Sequence, residues 1–316
     1  MSWEIVITGC GTSHGNPAWG DPAWWSTDPR DARRRSGALL RATDGREVLI
    51  DTGPDLLHQL RDPYRHWDGV SYPVDAVTRC DGVLMTHDHA DHAHGINDLR
   101  HVNRLMRHAE RKSGSHVAGS PAPSIPLFGN VEHLSRLQTM FPYCFGIGEE
   151  FYSLSAPALV VRTLADDVVT TIAGLPVIPF AMSHGSAGRT TGFRIGDLAY
   201  LTDLKELPLH ADQFLRNVGL LVLDMLRDEV HPTHLCWAEA MAIIAQFSWS
   251  ALSSKRNKGQ TVGRYCRSGK SSSTPSCGEP TALRSSQKFL GRASITGTIS
   301  WRRLCKSRPR RSWRRS

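Results

Sequence analysis

The chain has 316 residues, 40% of them hydrophobic and 22% charged, with a formal net charge of +8. That is the profile of a soluble globular protein of one large domain or two ordinary ones. No run of eighteen apolar residues occurs, which excludes a transmembrane helix from the expectations.

In chain order, a strand is expected at residues 5–8, with no basic segment before it to suggest a secretory leader. A long loop rich in Trp, Pro and Arg follows at 16–36, then strands at 38–41 and 48–51. Helical spacing covers 54–61, where Pro54 suits a first turn, and a strand is expected at 82–85. Next come a helix over 99–111, a Ser/Gly/Pro-rich loop over 111–124 and a helix over 131–140. Strands are expected at 159–162, 177–180, 192–195, 198–201 and 220–224, with helices over 207–217 and 234–246. Strands interleaved with helices suggest a layered α/β architecture.

The pattern stops after Phe247. Residues 248–316 hold seventeen Lys or Arg, sixteen Ser and one acid, Glu279, for a net +16; residues 1–247 are left with 21 bases and 29 acids, a net of −8. Two units are therefore expected: a folded body over 1–247, and an Arg/Ser-rich tail over 248–316 with the signature of disorder. The abrupt change fits a tail out of frame with the body better than a nucleic-acid-binding extension. The seven cysteines are scattered, odd in number and never spaced as CxxC. A disulfide framework is not expected, and a reducing cytoplasm is the default compartment.

Chemistry concentrates just beyond residues 82–85. His87, His89, Asp91 and His92 lie within six residues, where a strand emerging into a loop displays them at one end of a sheet. Imidazole with carboxylate suits zinc, manganese or iron. Two His at i and i+2 can share one ion, and the Asp with the next His can hold a second. Four ligand-type residues at this spacing are hard to obtain by chance, so a merely His-rich polar loop is the weaker reading. His94 reads as an outer or solvent-facing residue. Arg33, Arg34 and Arg35 either attract an anion or form solvated surface.

The run Thr86-His87-Asp88-His89-Ala90-Asp91-His92 resembles the signature of the metallo-β-lactamase superfamily. Thr8-Gly9-Cys10-Gly11-Thr12-Ser13-His14-Gly15 is similar to that family's Gly-rich first turn. Leu49-Ile50-Asp51-Thr52-Gly53 is similar to the strand whose Asp braces the metal loop. Ser183-His184-Gly185 and Thr202-Asp203 resemble its next two ligand segments. The resemblance implies an α/β fold, the four-layer αββα sandwich, holding two divalent ions: Zn first, with Mn or Fe as alternatives. It places His87, His89 and His184 on the first ion and Asp91 and His92 on the second, with Asp203 bridging. Gly95-Ile96-Asn97-Asp98-Leu99-Arg100, Gly192-Phe193-Arg194-Ile195 and His231-Pro232-Thr233-His234-Leu235 resemble the phosphoribosyl 1,2-cyclic phosphate phosphodiesterase branch. Coenzyme PQQ synthesis protein B and tRNase Z are more distant likenesses. In that branch the place of His234 belongs to a catalytic histidine; by its own context it reads equally as a residue opening a helix after a Pro turn.

Two departures follow. Members of that branch often carry a cysteine cluster for a structural zinc after the first turn, whereas residues 19–35 contain no cysteine. The family also supplies a last ligand histidine after the helix that follows the 231–235 segment, whereas all fifteen histidines lie at or before His234. The resemblance thus implies a sandwich truncated at its C-terminal end and a weakened second metal site.

The implied activity is hydrolysis, foremost of a small cyclic or nucleotide-like phosphodiester. A metal-bridging hydroxide oriented by Asp91 attacks, and His234 protonates the leaving oxygen. A thioester or lactone hydrolase on the same fold stays open, as does a product impaired by the lost ligand. The expected partner is a small-molecule phosphodiester or ester. No membrane is expected, nucleic acid is disfavoured by the negative body, and a homodimer is admitted.

Overall fold

The computed structural model describes residues 2–16, 18, 20, 33–61, 77–115, 123–146 and 156–252, and the backbone of 293–294. The expected disorder of the tail falls on residues outside these, as does most of the first long loop. One helix crosses the compositional break and runs to Leu252.

Two sheets form the centre. The larger contains β1 (Trp3–Gly9), β2 (Gly37–Ala42), β3 (Glu47–Ile50), β4 (Gly82–Leu84), β5 (Ile125–Gly129) and β6 (Leu159–Thr163) in that spatial order. A two-residue strand, Ala293–Ser294, pairs antiparallel on the outer side of β1. The smaller sheet contains β7 (Thr170–Ile172), β8 (Leu175–Ser183), β9 (Arg189–Ile195), β10 (Leu198–Leu201) and β11 (Leu220–Leu223), again side by side in chain order. Helices α1 (Leu56–Arg61), α2 (Ala90–Ala93), α3 (Leu99–Ser113), α4 (Val131–Met140), α5 (Asp212–Leu215) and α6 (Trp237–Leu252) complete the described elements. Numbered in chain order, Ala293–Ser294 is β12.

Side-chain alternation along the strands builds the layers. Successive residues of a strand face opposite ways, so Val6, Leu39, Leu49 and Val83 pack outward, while Ile5, Leu40, Ile50 and Leu84 pack inward. The outward set is covered by Leu56 and Leu60 of α1, Leu99 and Val102 of α3, and Leu134 and Leu137 of α4. The inward set meets Val177, Phe193, Ile195 and Tyr200 of the smaller sheet. The far face of that sheet, with Phe180, Met182 and Leu201, is covered by Phe214 of α5 and by Ala240 and Ile244 of α6. The result is the four-layer αββα sandwich.

Several elements differ from expectation. Strand β5 has no counterpart among the expected strands because Pro126 interrupts a short apolar run, and a proline removes a ladder donor. Strand β7 is three residues long, too short to show a period. Helix α5 is confined to four residues because Pro208 leads a turn rather than a helix. Helix α6 starts after Cys236, whose backbone N–H donates to Glu239 Oε2 at 2.8 Å, half of a capping box. Cys10 is disulfide-bonded, which the spacing of the cysteines does not signal. Cys80, Cys144 and Cys236 are free. No helix among the described residues is long and apolar enough to cross a membrane.

Candidate metal centre

The strand ends gather the chemistry at one rim. Strand β3 delivers Asp51, β4 delivers residues 86–92, β8 delivers His184, β10 delivers Asp203 and β11 delivers Asp224. The two sheets are joined at this rim, where Thr191 N donates to Thr86 O at 2.9 Å. His87, His89, His184 and Asp203 converge with ligand-type atoms within 4.8 Å of one another, and so do Asp91, His92 and Asp203. Asp203 is common to both groups. All six residues singled out as metal ligands in the sequence are thus brought together.

Two of the carboxylates sit on unusual backbone. Asp51 and Asp203 adopt φ of 64° and 51°. A non-glycine residue in this region is strained by about 1–3 kcal/mol and persists only where surrounding bonds hold it. Asp51 Oδ1 accepts from Thr86 N at 2.8 Å, and Oδ2 accepts from Thr86 Oγ1 at 2.9 Å and His92 Nδ1 at 2.7 Å. Asp203 Oδ1 accepts from Thr202 Oγ1 at 3.0 Å, and its carbonyl accepts from Thr190 Oγ1 at 3.1 Å. Two glycines let neighbouring chain approach. A Cβ on Gly53 would lie 2.2 Å from the Asp91 carbonyl oxygen, and one on Gly185 would lie 2.1 Å from that of Pro232.

The bonds to Nδ1 set the tautomers. His92 Nδ1 donates to Asp51, and His184 Nδ1 donates to the Thr233 carbonyl at 2.7 Å. Thr86 Oγ1 gives its single proton to Asp51 and so accepts from His87 Nδ1 at 2.9 Å. Each neutral ring therefore presents a bare Nε2 lone pair to the cluster. His87 Nε2 and His184 Nε2 stand 3.7 and 3.5 Å from Asp203 Oδ2; His92 Nε2 stands 3.2 Å from Asp203 Oδ1 and 3.5 Å from Asp91 Oδ2. Lone pairs then face lone pairs. His87 Nε2 is buried without a hydrogen-bond partner. Such a donor set fits divalent cations of the zinc class, and without one only a proton can relieve it.

The titrations reflect this. Burial holds His87 well below the usual imidazole range. Burial opposes charge on His92 too, but the Asp203 and Asp51 carboxylates outweigh it and raise His92 well above that range. Asp203 is resisted by burial, yet His92 and His87 pull it well below the ordinary carboxylate range.

His234 lies on the other side of His184, with ring centroids 4.8 Å apart. Its Nδ1 bonds Asp224 Oδ2 at 2.9 Å; burial opposes its charge, but Asp224 prevails and raises it. His94 is exposed, with its ring edge-on to Phe141. Arg35 is paired with Asp55 at 2.9 Å, and its Nε donates to the Ser13 carbonyl of the first turn at 3.4 Å. Sequence reasoning missed Asp224, which stands just past a strand end as Asp51 and Asp203 do. It also missed the bonds of Asp88 to His133 and Arg136, which carry no local spacing signal.

A family model described as "Beta-lactamase superfamily domain" matches residues 46–252. The chain is 28% identical over 246 residues to an octanoyltransferase of Porphyromonas gingivalis (strain ATCC BAA-308 / W83), a match covering 77% of this chain and 43% of that protein. The match thus spans less than half of that relative. A crystal structure of a diphosphatase from the PhnP family superposes with a TM-score of 0.63 at 25% identity, covering 85% of this chain and 96% of that one. Zn(2+)-bound PqqB from Methylobacterium extorquens shares the fold, with a TM-score of 0.51, 19% identity and coverage of 72% and 74%.

Proposed function

Because the chain belongs to the beta-lactamase superfamily, we propose that it is a metal-dependent hydrolase acting on a small phosphodiester. The observation that carries this reading is the convergence of the His87, His92 and His184 Nε2 atoms on the Asp203 carboxylate, beside His89 and Asp91. His87, His89, His184 and Asp203 would hold a first ion, and Asp91, His92 and Asp203 a second. Zinc suits these ligands best, with manganese or iron as alternatives. When bound, the ions supply Lewis acidity and a nucleophile available at neutral pH.

The chain's own groups account for the proton traffic. Asp91 orients the attacking water and takes its proton. The water oxygen forms a bond to phosphorus as the ester P–O bond breaks. His234, whose protonated form the Asp224 carboxylate favours, gives its Nε2 proton to the leaving oxygen. A protonated imidazole beside the cluster suits the dianionic transition state of phosphodiester hydrolysis, which carries more negative charge than the single oxyanion of acyl hydrolysis. The name octanoyltransferase favours an acyl substrate as a second reading, but the match leaves more than half of that protein uncovered.

The two ion sites are unequal. The first has four donors among the described residues and the second has three. Losing an outer partner alone weakens metal affinity by about 10–100-fold, and a missing direct ligand weakens it further. One tightly held ion per chain is therefore expected, with hydrolysis rising as a second is added. Metal analysis beside turnover of a chromogenic phosphodiester and a thioester tests this. Turnover of the thioester alone would overturn the substrate class, and two tightly held ions would overturn the inequality.

A further inference from the structure

We propose that Asp88, His133 and Arg136 form a positioning clamp that sets the metal-binding geometry of His87 and His89 from outside the cluster. The inference rests on the metal-site reading above and on no particular substrate.

Asp88 stands between the two histidines, yet its carboxylate is engaged by α4. Oδ1 accepts from His133 Nδ1 at 2.5 Å and from Arg136 Nη2 at 2.9 Å, and Oδ2 accepts from Arg136 Nε at 2.6 Å. His133 and Arg136 are three residues apart on α4 and so share a face. The Arg136 fork meets the carboxylate with two parallel bonds, which fixes direction as well as distance. His89 has extended backbone, with φ −61° and ψ 151°. Asp88 is turned to α4 while His87 and His89 on either side of it converge on the cluster, so fixing the direction of Asp88 constrains both neighbours.

The clamp has a firm base. Helix α4 follows β5 directly, and the Asn130 side chain caps it by accepting from Glu132 N at 2.9 Å. Strand β5 lies parallel to β4, and Met85 N donates to Phe128 O at 2.8 Å. The two segments are thus joined twice: by backbone just before the metal loop, and by Asp88 within it. His133 is 3% exposed, whereas the Arg136 side chain is 54% exposed. An ion pair so open to water adds little to global stability, which allows positioning to be separated from folding.

The test uses full-length R136Q, R136K and D88N. Zinc affinity is read by competition with a chromophoric chelator, coordination geometry by the visible spectrum of the cobalt-loaded protein, and folding by thermal unfolding of the metal-free protein. R136Q is expected to weaken the tighter site by about 10–100-fold and to alter the cobalt spectrum, with metal-free unfolding unchanged. R136K keeps the charge but loses the fork, and should recover part of the affinity. D88N should lose at least as much as R136Q; if it fails to fold, the Arg136 pair decides. Wild-type zinc affinity and cobalt spectrum in both Arg136 variants would overturn the clamp. So would an affinity loss that merely tracks a loss of metal-free stability. Hydrolysis enters none of these measurements, so failure of the phosphodiesterase reading leaves the outcome intact.

Discussion

Thr86→Val isolates the tautomer argument with nearly unchanged shape. Thr86 is fully buried, and its hydroxyl reaches Asp51 at 2.9–3.0 Å and His87 Nδ1 at 2.9 Å. The substitution removes one donor from a buried carboxylate and the acceptor of His87 Nδ1. Asp51 keeps the Thr86 backbone N–H and His92. A hydrogen bond to a charged group contributes about 1.5–3 kcal/mol, so metal-free stability should fall by about that much. Freed of its acceptor, the His87 ring loses its fixed orientation, and zinc affinity at the tighter site should drop about 10–100-fold. That corresponds to about 1.4–2.7 kcal/mol of binding free energy, comparable to the folding loss. Urea unfolding of the metal-free protein measures the first quantity and chelator competition the second. A stability loss with unchanged zinc affinity would show that Thr86 only completes the core and that His87 needs no partner to present Nε2.

His234→Gln should lower turnover of an alkyl phosphodiester by about 100–10,000-fold while bound metal stays constant, because general-acid catalysis contributes on that scale. With a nitrophenolate leaving group, which needs no proton, the loss should shrink; equal losses on both substrates would refute the acid role. The pH dependence of the metal-free protein should peak near neutrality. His87, lowered in the fold, withdraws stability as pH falls below 6.5, whereas His92, raised in the fold, withdraws it as pH climbs through 6.5 toward its folded value. Zinc must displace the His92 proton, so the zinc-loaded protein should instead gain on the alkaline side, as unfolding curves across pH will show. Cys80 and Cys144, buried with thiols pushed up to about 12 and about 11, should resist alkylation until the protein unfolds, as mass spectrometry of pulse-labelled protein will report.

How much of this was legible in the sequence depends on the range of the interaction. Strands with apolar residues on both faces, such as Glu47–Ile50 and Leu198–Leu201, announce themselves because both layers demand apolar contact. Strand β5 hides because Pro126 breaks the expected run, although parallel neighbours on both sides hold the segment in register. Helix α4 is legible to the residue because Asn130 caps it and Phe141 ends it, whereas the turn led by Pro208 looks helical only by its spacing.

The candidate site divides along the same line. His87, His89, Asp91 and His92 are four donors on one short segment, and local spacing alone singles them out. His184 and Asp203 are single residues at the ends of separate strands, and only a resemblance marks them among fifteen histidines and many aspartates. What no spacing reveals is the support behind them: Asp51 under Thr86 and His92, the Thr233 carbonyl under His184, Asp224 under His234, and α4 under Asp88. Each of these bonds joins residues at least ten positions apart. Their common effect is to fix one nitrogen or one carboxylate oxygen and leave the other free to face the cluster. The donor types therefore lie in the sequence, but the orientation that turns them to one point arises only when the two sheets close on each other.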